Sequence, residues 1–498
     1  YQLFKKIVNI PSFQKRLQRI YKNLFSSKNV DVVLEEDAEK YFDRANKKVF
    51  IQDYVGALSD YTQAIRLNPQ YDIAYNSRGL LKESIGDLEG ALMDYTEAAR
   101  LGQHSSAYSN RGNIKQLQGD LDGAILDYNK ALQIDPQNAE SYNHRGLVKE
   151  ALGDFDGAIL DYNEALRFNP QDANIYYNRG NTKQTKGDLD GAILDYTDAI
   201  RLNPKFSGAH NNRGLVKRDK GDLDGAIFDF TEAVRLNPQD SGFYNNRGDA
   251  KQATGDIDGA IIDFTEAIRL NPQYATAYMN RGNLKEQKKD LEGAILDYNE
   301  AVRLNPQDAD IYYNRGNTKQ IKGDLDGAIL DYTNSIRLNP KFFGVYTNRG
   351  LAKQATGNLN GAIADYNEAI QLNPQDPMPY FNRGNAKKET GAFDGAILDY
   401  NEVIRLNPNA EAYNNRGHTK QLKSDLNGAI QDFTDAIRLN PQDVNAYLNR
   451  AGVQLKKRNL KEAKEDYKRF LELTKNFNDL HIQQTKQQIL QLFPELAK

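Results

Sequence analysis

Cysteine and tryptophan are absent from this chain of 498 residues, and methionine occurs three times. The lack of cysteine excludes disulfides and thiolate metal sites and leaves the redox compartment undecided. Long apolar runs are missing too: with 39 % hydrophobic residues, no stretch reaches the roughly 18 consecutive apolar residues of a membrane-spanning helix. A strong charge of either sign is lacking, and a net charge of −3 disfavours generic nucleic-acid binding. Histidine is scarce. His104, His144, His210, His418 and His481 are scattered with no HxxxH or HxxE spacing, so no metal or other cofactor is expected. Acidic residues are numerous but recur with the repeat described below, so no unique acid/base pair stands out. No glycine-rich phosphate cradle follows a strand. Nothing in this inventory marks an enzyme. The chain opens at Tyr1 rather than Met, which leaves room for a signal or anchor upstream.

What is present is repetition. Asn-Arg-Gly recurs every 34 residues at Gly180, Gly214, Gly248, Gly282, Gly316, Gly350 and Gly384. With that glycine numbered repeat position 8, thirteen units run from near Ala38 to near Phe477, two of the links being one residue shorter. Length alone would suggest about three domains. A tandem array overrules that, because each unit buries its apolar face only against its neighbours.

Each unit contains two helical patterns joined by a Gly-Asp turn such as Gly187-Asp188. In the second, helix B, Ala192, Ile193, Tyr196, Ala199 and Ile200 form an amphipathic stripe, and Asn-Pro then stops the helix. In the first, helix A, the glycine at position 8 costs about 1 kcal/mol against alanine, so it requires a packing reason. Position 20 is Ala in all thirteen units, which suggests that glycine and alanine face each other across a tight helix crossing. The aromatic at position 24 then fills the space beside them. Arg at position 7 and Asp at position 23 are also invariant among the units, the pattern of a repeated ion pair between helices. The first and last units carry Ala45 and Ala451 in place of the glycine, and Leu480–Lys498 holds Ile482, Ile489, Leu490 and Phe493 at helical spacing. That segment is expected to cap the array.

Small at 8, Ala at 20, aromatic at 24, small at 27 and Pro at 32 resembles the tetratricopeptide repeat. Three positions depart from it: Arg at 7 where the family is usually aliphatic, Lys at 11 where an aromatic is common, and Tyr at 4 in place of the frequent tryptophan. The resemblance implies an all-α, right-handed superhelical solenoid of about thirteen repeats with terminal capping helices. Residues 1–37 would form a basic N-terminal segment, 38–477 the array and 478–498 the C-terminal cap. The chain resembles TPR-only proteins of bacterial, cyanobacterial-like type, which implies a scaffold or assembly factor.

The residues singled out for function form the row at position 6: Asn110, Asn178, Asn212, Asn246, Asn280, Asn314, Asn348, Asn382, Asn415 and Asn449. Asparagine is a mediocre helix residue, and its amide matches the C=O and N–H of a peptide backbone. By resemblance, position 6 faces the concave groove, like the asparagine ladder of the O-linked N-acetylglucosamine transferase superhelix and the binding Asn of chaperone-adaptor carboxylate clamps. That implies a protein or peptide partner held in extended form. The structural alternative is that each Asn bonds a neighbouring repeat. Positions 2, 5, 9 and 12 share the face and vary between units, with Tyr177, Tyr313 and Phe381 at position 5 the candidate side-chain contacts. Arg218 and Lys388 are the best cations at position 12, too few for a free C-terminus, so an internal segment is the expected ligand.

Residues 1–28 carry seven basic side chains and no acidic one. Within them Phe13, Leu17, Ile20, Tyr21, Leu24 and Phe25 lie at helical spacing, with Lys15, Arg16, Arg19 and Lys22 opposite. Such a stretch can lie on an anionic membrane surface, dock on an acidic partner, or cap the first repeat. Three readings follow: a non-catalytic cytoplasmic scaffold, the targeting arm of an enzyme whose catalytic part lies outside this chain, or a peripheral membrane scaffold through residues 1–25. Oligomeric state and partner identity are not legible.

Overall fold

The computed structural model describes residues 33–477 and 479–497. Among them stand 27 α-helices and a closing 3-10 turn at Pro494–Ala497, with no strand. The readings made for residues 1–25, as capping helix or membrane contact, lie outside the described residues. No described helix is long and apolar enough to cross a membrane. The first helix, Val33–Phe50, already begins ahead of Ala38.

The helices come in the expected pairs, for example Ala173–Thr185 with Leu189–Leu202. Local chemistry sets the boundaries of the second helix of this pair. Asp188 caps the second helix, its carboxylate accepting the Gly191 N–H at 3.0 Å, which satisfies one of the donors orphaned at a helix start. A side chain at Gly191 would collide with that carboxylate, since a Cβ there would lie 2.1 Å from Asp188 Oδ2. At the far end Asn203 leaves the helix and Pro204 cannot continue it. The Gly-Asp turn needs left-handed backbone, with φ +85 at Gly187. Four turns place Gln52, Lys289, Ser424 and Arg458 in that region instead, at φ 65–66.

The glycine at position 8 has a different partner from the one expected. The nearest atoms to a Cβ at Gly316 belong to the Tyr332 ring, at 2.8 Å, and Gly180 stands likewise over Tyr196. The glycine therefore makes room for the aromatic at position 24, and the Ala at position 20 is not what it faces. Ala192, Tyr196 and Ala199 are fully buried, so helix B supplies the core of its repeat. Helix A of the following repeat completes it: Ala158, Tyr162 and Ala165 cluster with Ile175.

Two compact units divide the chain, Tyr1–Thr254 and Gly255–Lys498, and each is built from such pairs. At the C-terminal end, helix Leu480–Leu492 and Phe493 beyond it set Ile489 and Phe493 against Ala451, Ala463, Tyr467 and Phe470 of the last repeat.

Candidate functional site

The two invariant charged rows meet. Arg315 Nε and Nη2 fork onto Asp331 at 2.9 and 2.6 Å, a charge-assisted bidentate pair. Lys319 Nζ reaches the same carboxylate at 2.8 Å. Arg315 Nη1 then donates to Asn299 Oδ1 of the preceding repeat at 2.9 Å, and its guanidinium lies 5.5 Å from the Tyr312 ring centroid. The same Arg–Asp–Lys trio forms around Asp94, Asp127, Asp195 and Asp365. Lys at position 11, read from sequence only as a departure from the family, completes this hub. At Asp229 burial pushes the carboxyl upward, yet His210, Arg213 and Lys217 together hold it well below the ordinary carboxylate range. The hub is framework, joining the two helices of one repeat to the repeat before it.

Next to the hub, on helix A, lies the asparagine row. The amide nitrogens reach across to neighbouring repeats. Asn110 Nδ2 donates to Asn76 Oδ1 at 3.1 Å, Asn178 to Asn143 at 3.1 Å and Asn246 to Asn211 at 2.9 Å. In the second compact unit Asn314 donates to Asn283 at 3.2 Å, Asn415 to Asn385 at 3.4 Å and Asn449 to Asn414 at 3.0 Å. Asn382 is buried, and its Nδ2 has no hydrogen-bond partner among the described residues. Asn280 is half-buried in the same register. The acceptors stand at position 5 or 9 of the repeat before. An asparagine side chain offers two donors and a two-lone-pair acceptor, so one such bond leaves most of its capacity open.

The aromatics at position 5 belong to the same network. Tyr177 Oη accepts from Asn212 Nδ2 at 3.0 Å, Asn181 Oδ1 accepts from the same nitrogen at 2.9 Å, and the Tyr177 ring packs 4.7 Å from Phe206. Four repeats later Asn348 repeats this with Tyr313 at 3.2 Å and Asn317 at 2.9 Å, and Tyr313 packs on Phe342. Phe381 meets Tyr400 edge-on at 6.1 Å. All three rings are half-buried.

Part of the variation at positions 9 and 12 follows from the core tyrosine. Burial pushes the phenols of Tyr196 and Tyr332 upward, so they stay protonated and need an acceptor. Tyr332 Oη lies 2.8 Å from Asn317 Oδ1 and 2.7 Å from Gln320 Oε1. Tyr162, beside Leu147, uses Glu150 at 3.1 Å. Where the ring is Phe230 no acceptor is required, and Leu215 and Arg218 occupy those positions. Asp249 departs from the pattern: burial raises its carboxyl to about 6 against the pull of Arg218 and Asn245, and Asn245 Nδ2 donates to it at 3.2 Å. Among the described residues no cluster of three His, Cys, Asp or Glu side chains is placed to hold a metal ion.

Family models for the tetratricopeptide repeat match the chain at 42–109, 112–153, 149–187, 173–206, 207–240 and 241–274, then at 282–320, 309–342, 354–391, 379–409 and 423–476. No curated protein matches. Solved structures similar to parts of the chain include YrrB, described as a TPR protein with an unusual peptide-binding site, at 26 % identity over 37 % of this chain and 95 % of that one, TM-score 0.34. MamA is 28 % identical over 32 % of this chain and 95 % of its own, TM-score 0.32. A tetratricopeptide repeat protein from Parabacteroides merdae is 23 % identical over 52 % and 98 %, TM-score 0.37.

Proposed function

The chain belongs to the tetratricopeptide repeat family, and on that premise we propose that it is a non-catalytic interaction scaffold whose helix-A face binds a polypeptide segment in extended form. One observation carries the reading. The half-buried position-6 amides of Asn246, Asn314 and Asn449 stand at the same place on helix A of their repeats, each tied through its nitrogen to the repeat before, and an amide so held keeps a second N–H and a carbonyl oxygen to offer. A side chain already ordered by its neighbour loses little further entropy on meeting a ligand. The neighbours at position 5, Tyr177, Tyr313 and Phe381 among them, differ from unit to unit and supply selectivity. The inter-repeat bonds also mean that the row serves the framework, so binding and stability are coupled in it.

The test is a peptide selected from a displayed library on the intact protein, measured against a variant with Asn280, Asn314, Asn348 and Asn382 changed to Ala. Each of the four lost hydrogen bonds removes about 0.5–1.5 kcal/mol, so at about 1.4 kcal/mol per decade affinity should fall at least about thirtyfold. Helical content by circular dichroism is the control. An unchanged dissociation constant in a fully helical variant, or no selectable peptide at all, would reject the assignment.

A further inference from the structure

Helix B carries a large apolar residue at repeat position 22 in nine of the thirteen units. In the first compact unit these are Met93, Leu126, Leu160, Leu194 and Phe228, each 62–70 % exposed. A single exposed leucine is ordinary, but the same register position in five successive repeats is not. The fold does not ask for it. Positions 20, 24 and 27 carry the buried stripe, as Ala158, Tyr162 and Ala165 show. Helix propensity does not choose it either, since Lys, Gln and Glu serve as well as Leu, and Phe serves worse.

A second observation gives the partner's chemistry. Position 18, one turn earlier on the same helix face, is Asp or Glu in those nine units and in none of the other four. Where the apolar residue is lost the acid is lost with it, as in Asn360 with Ala364 and Asn427 with Gln431. A helix N-terminus favours an acid at position 18 in every unit, so the dipole alone does not produce this pairing. Glu89, Asp122 and Asp224 are exposed beside Met93, Leu126 and Phe228. Asp156 and Asp190 pair with Lys186 and Lys220 of the following repeats, so the stripe is apolar with an acidic margin at Glu89, Asp122 and Asp224. A second copy's stripe would bring acid against acid, whereas a basic segment with an apolar face is complementary.

The chain carries such a segment. Phe13, Leu17, Ile20, Tyr21, Leu24 and Phe25 supply the apolar side, and residues 1–28 hold seven cations and no acid. We propose that residues 13–25 dock on the helix-B stripe of their own chain. Tethering favours this over a separate molecule, because residues 26–32 span at most about 24 Å extended and hold the segment at high effective concentration.

Carbodiimide cross-linking of the full chain, read by mass spectrometry, joins lysine amines to carboxylates in contact. The Lys186–Asp156 pair provides an internal positive. The expected products link Lys15, Lys22 or Lys28 to Glu89 or Asp122 within one chain, which isotope-labelled mixtures identify. In a variant with Leu126, Leu160 and Leu194 changed to Gln the yield should fall about tenfold, the factor that ~1.4 kcal/mol of lost apolar burial produces. These sites are exposed, so helical content should be unchanged. Absence of such products while Lys186–Asp156 forms, products only between chains, or an undiminished yield in the variant would each overturn the proposal. So would N-terminal cross-links confined to helix-A carboxylates.

Discussion

The substitution Asp331→Asn removes one charge from the hub while keeping its shape. The carboxylate is 1 % exposed at its side chain, and the Arg315 and Lys319 side chains are 14 % and 17 % exposed, so water reaches the trio only weakly. The new side chain would leave two cations facing a neutral amide, one of whose groups is a donor. Removing one partner of a buried pair costs about 3–5 kcal/mol, and the residual exposure of the cations puts this case near the lower value. Arg315 also holds Asn299 of the preceding repeat, so its displacement loosens two repeats. In a tandem array the loss stays near the site, and a single melting temperature averages it away. Hydrogen exchange resolved by mass spectrometry is the suitable assay. At ~3 kcal/mol, amides in Ala309–Lys322 and Leu325–Leu338 should lose about a hundredfold of protection, with distant repeats unchanged. Replacing the whole hub, with Arg315→Leu, Lys319→Tyr and Asp331→Leu together, should recover most of the loss, because an apolar trio of similar volume needs no desolvation. A change under about threefold for the single variant, or a larger loss for the triple one, would refute the claim that this carboxylate holds the repeat together.

Two further outcomes follow from backbone and titration. Ser424→Gly should stabilise its turn by about 1 kcal/mol, since Ser424 sits at φ 65 and the relief exceeds glycine's entropy cost; Lys289→Gly at φ 66 should do the same, and a lower melting temperature for both would contradict it. Asp249, raised to about 6, is favoured by the fold when neutral, so its contribution to stability is full below about pH 4 and lost as pH climbs through about 6. Asp249→Asn should therefore stabilise the protein by ~1–3 kcal/mol at about pH 7.5 and by little at about pH 4; an equal gain at both, in denaturant melts, would show that burial is not the cause.

The sequence by itself determined the helix pairs, the Gly-Asp turns, the Asn-Pro stops and the pairing of Arg315-type with Asp331-type residues. Each of these is written within one repeat, in spacings of sixteen residues or fewer, and thirteen copies average out local noise. Tertiary structure decided what crosses between helices. Gly316 takes the Tyr332 ring rather than an alanine, because ring placement depends on the crossing geometry and not on helical period. Lys319 joins the hub because the fold brings it to a carboxylate that the arginine alone does not satisfy. The asparagine nitrogens find acceptors 30 to 35 residues away, a separation that periodicity cannot read, since it is set by how one repeat stacks on the next. The exposed residue at position 22 was visible as a spelling in the sequence. Only accessibility showed that Leu160 and Leu194 stand outside the core rather than within it.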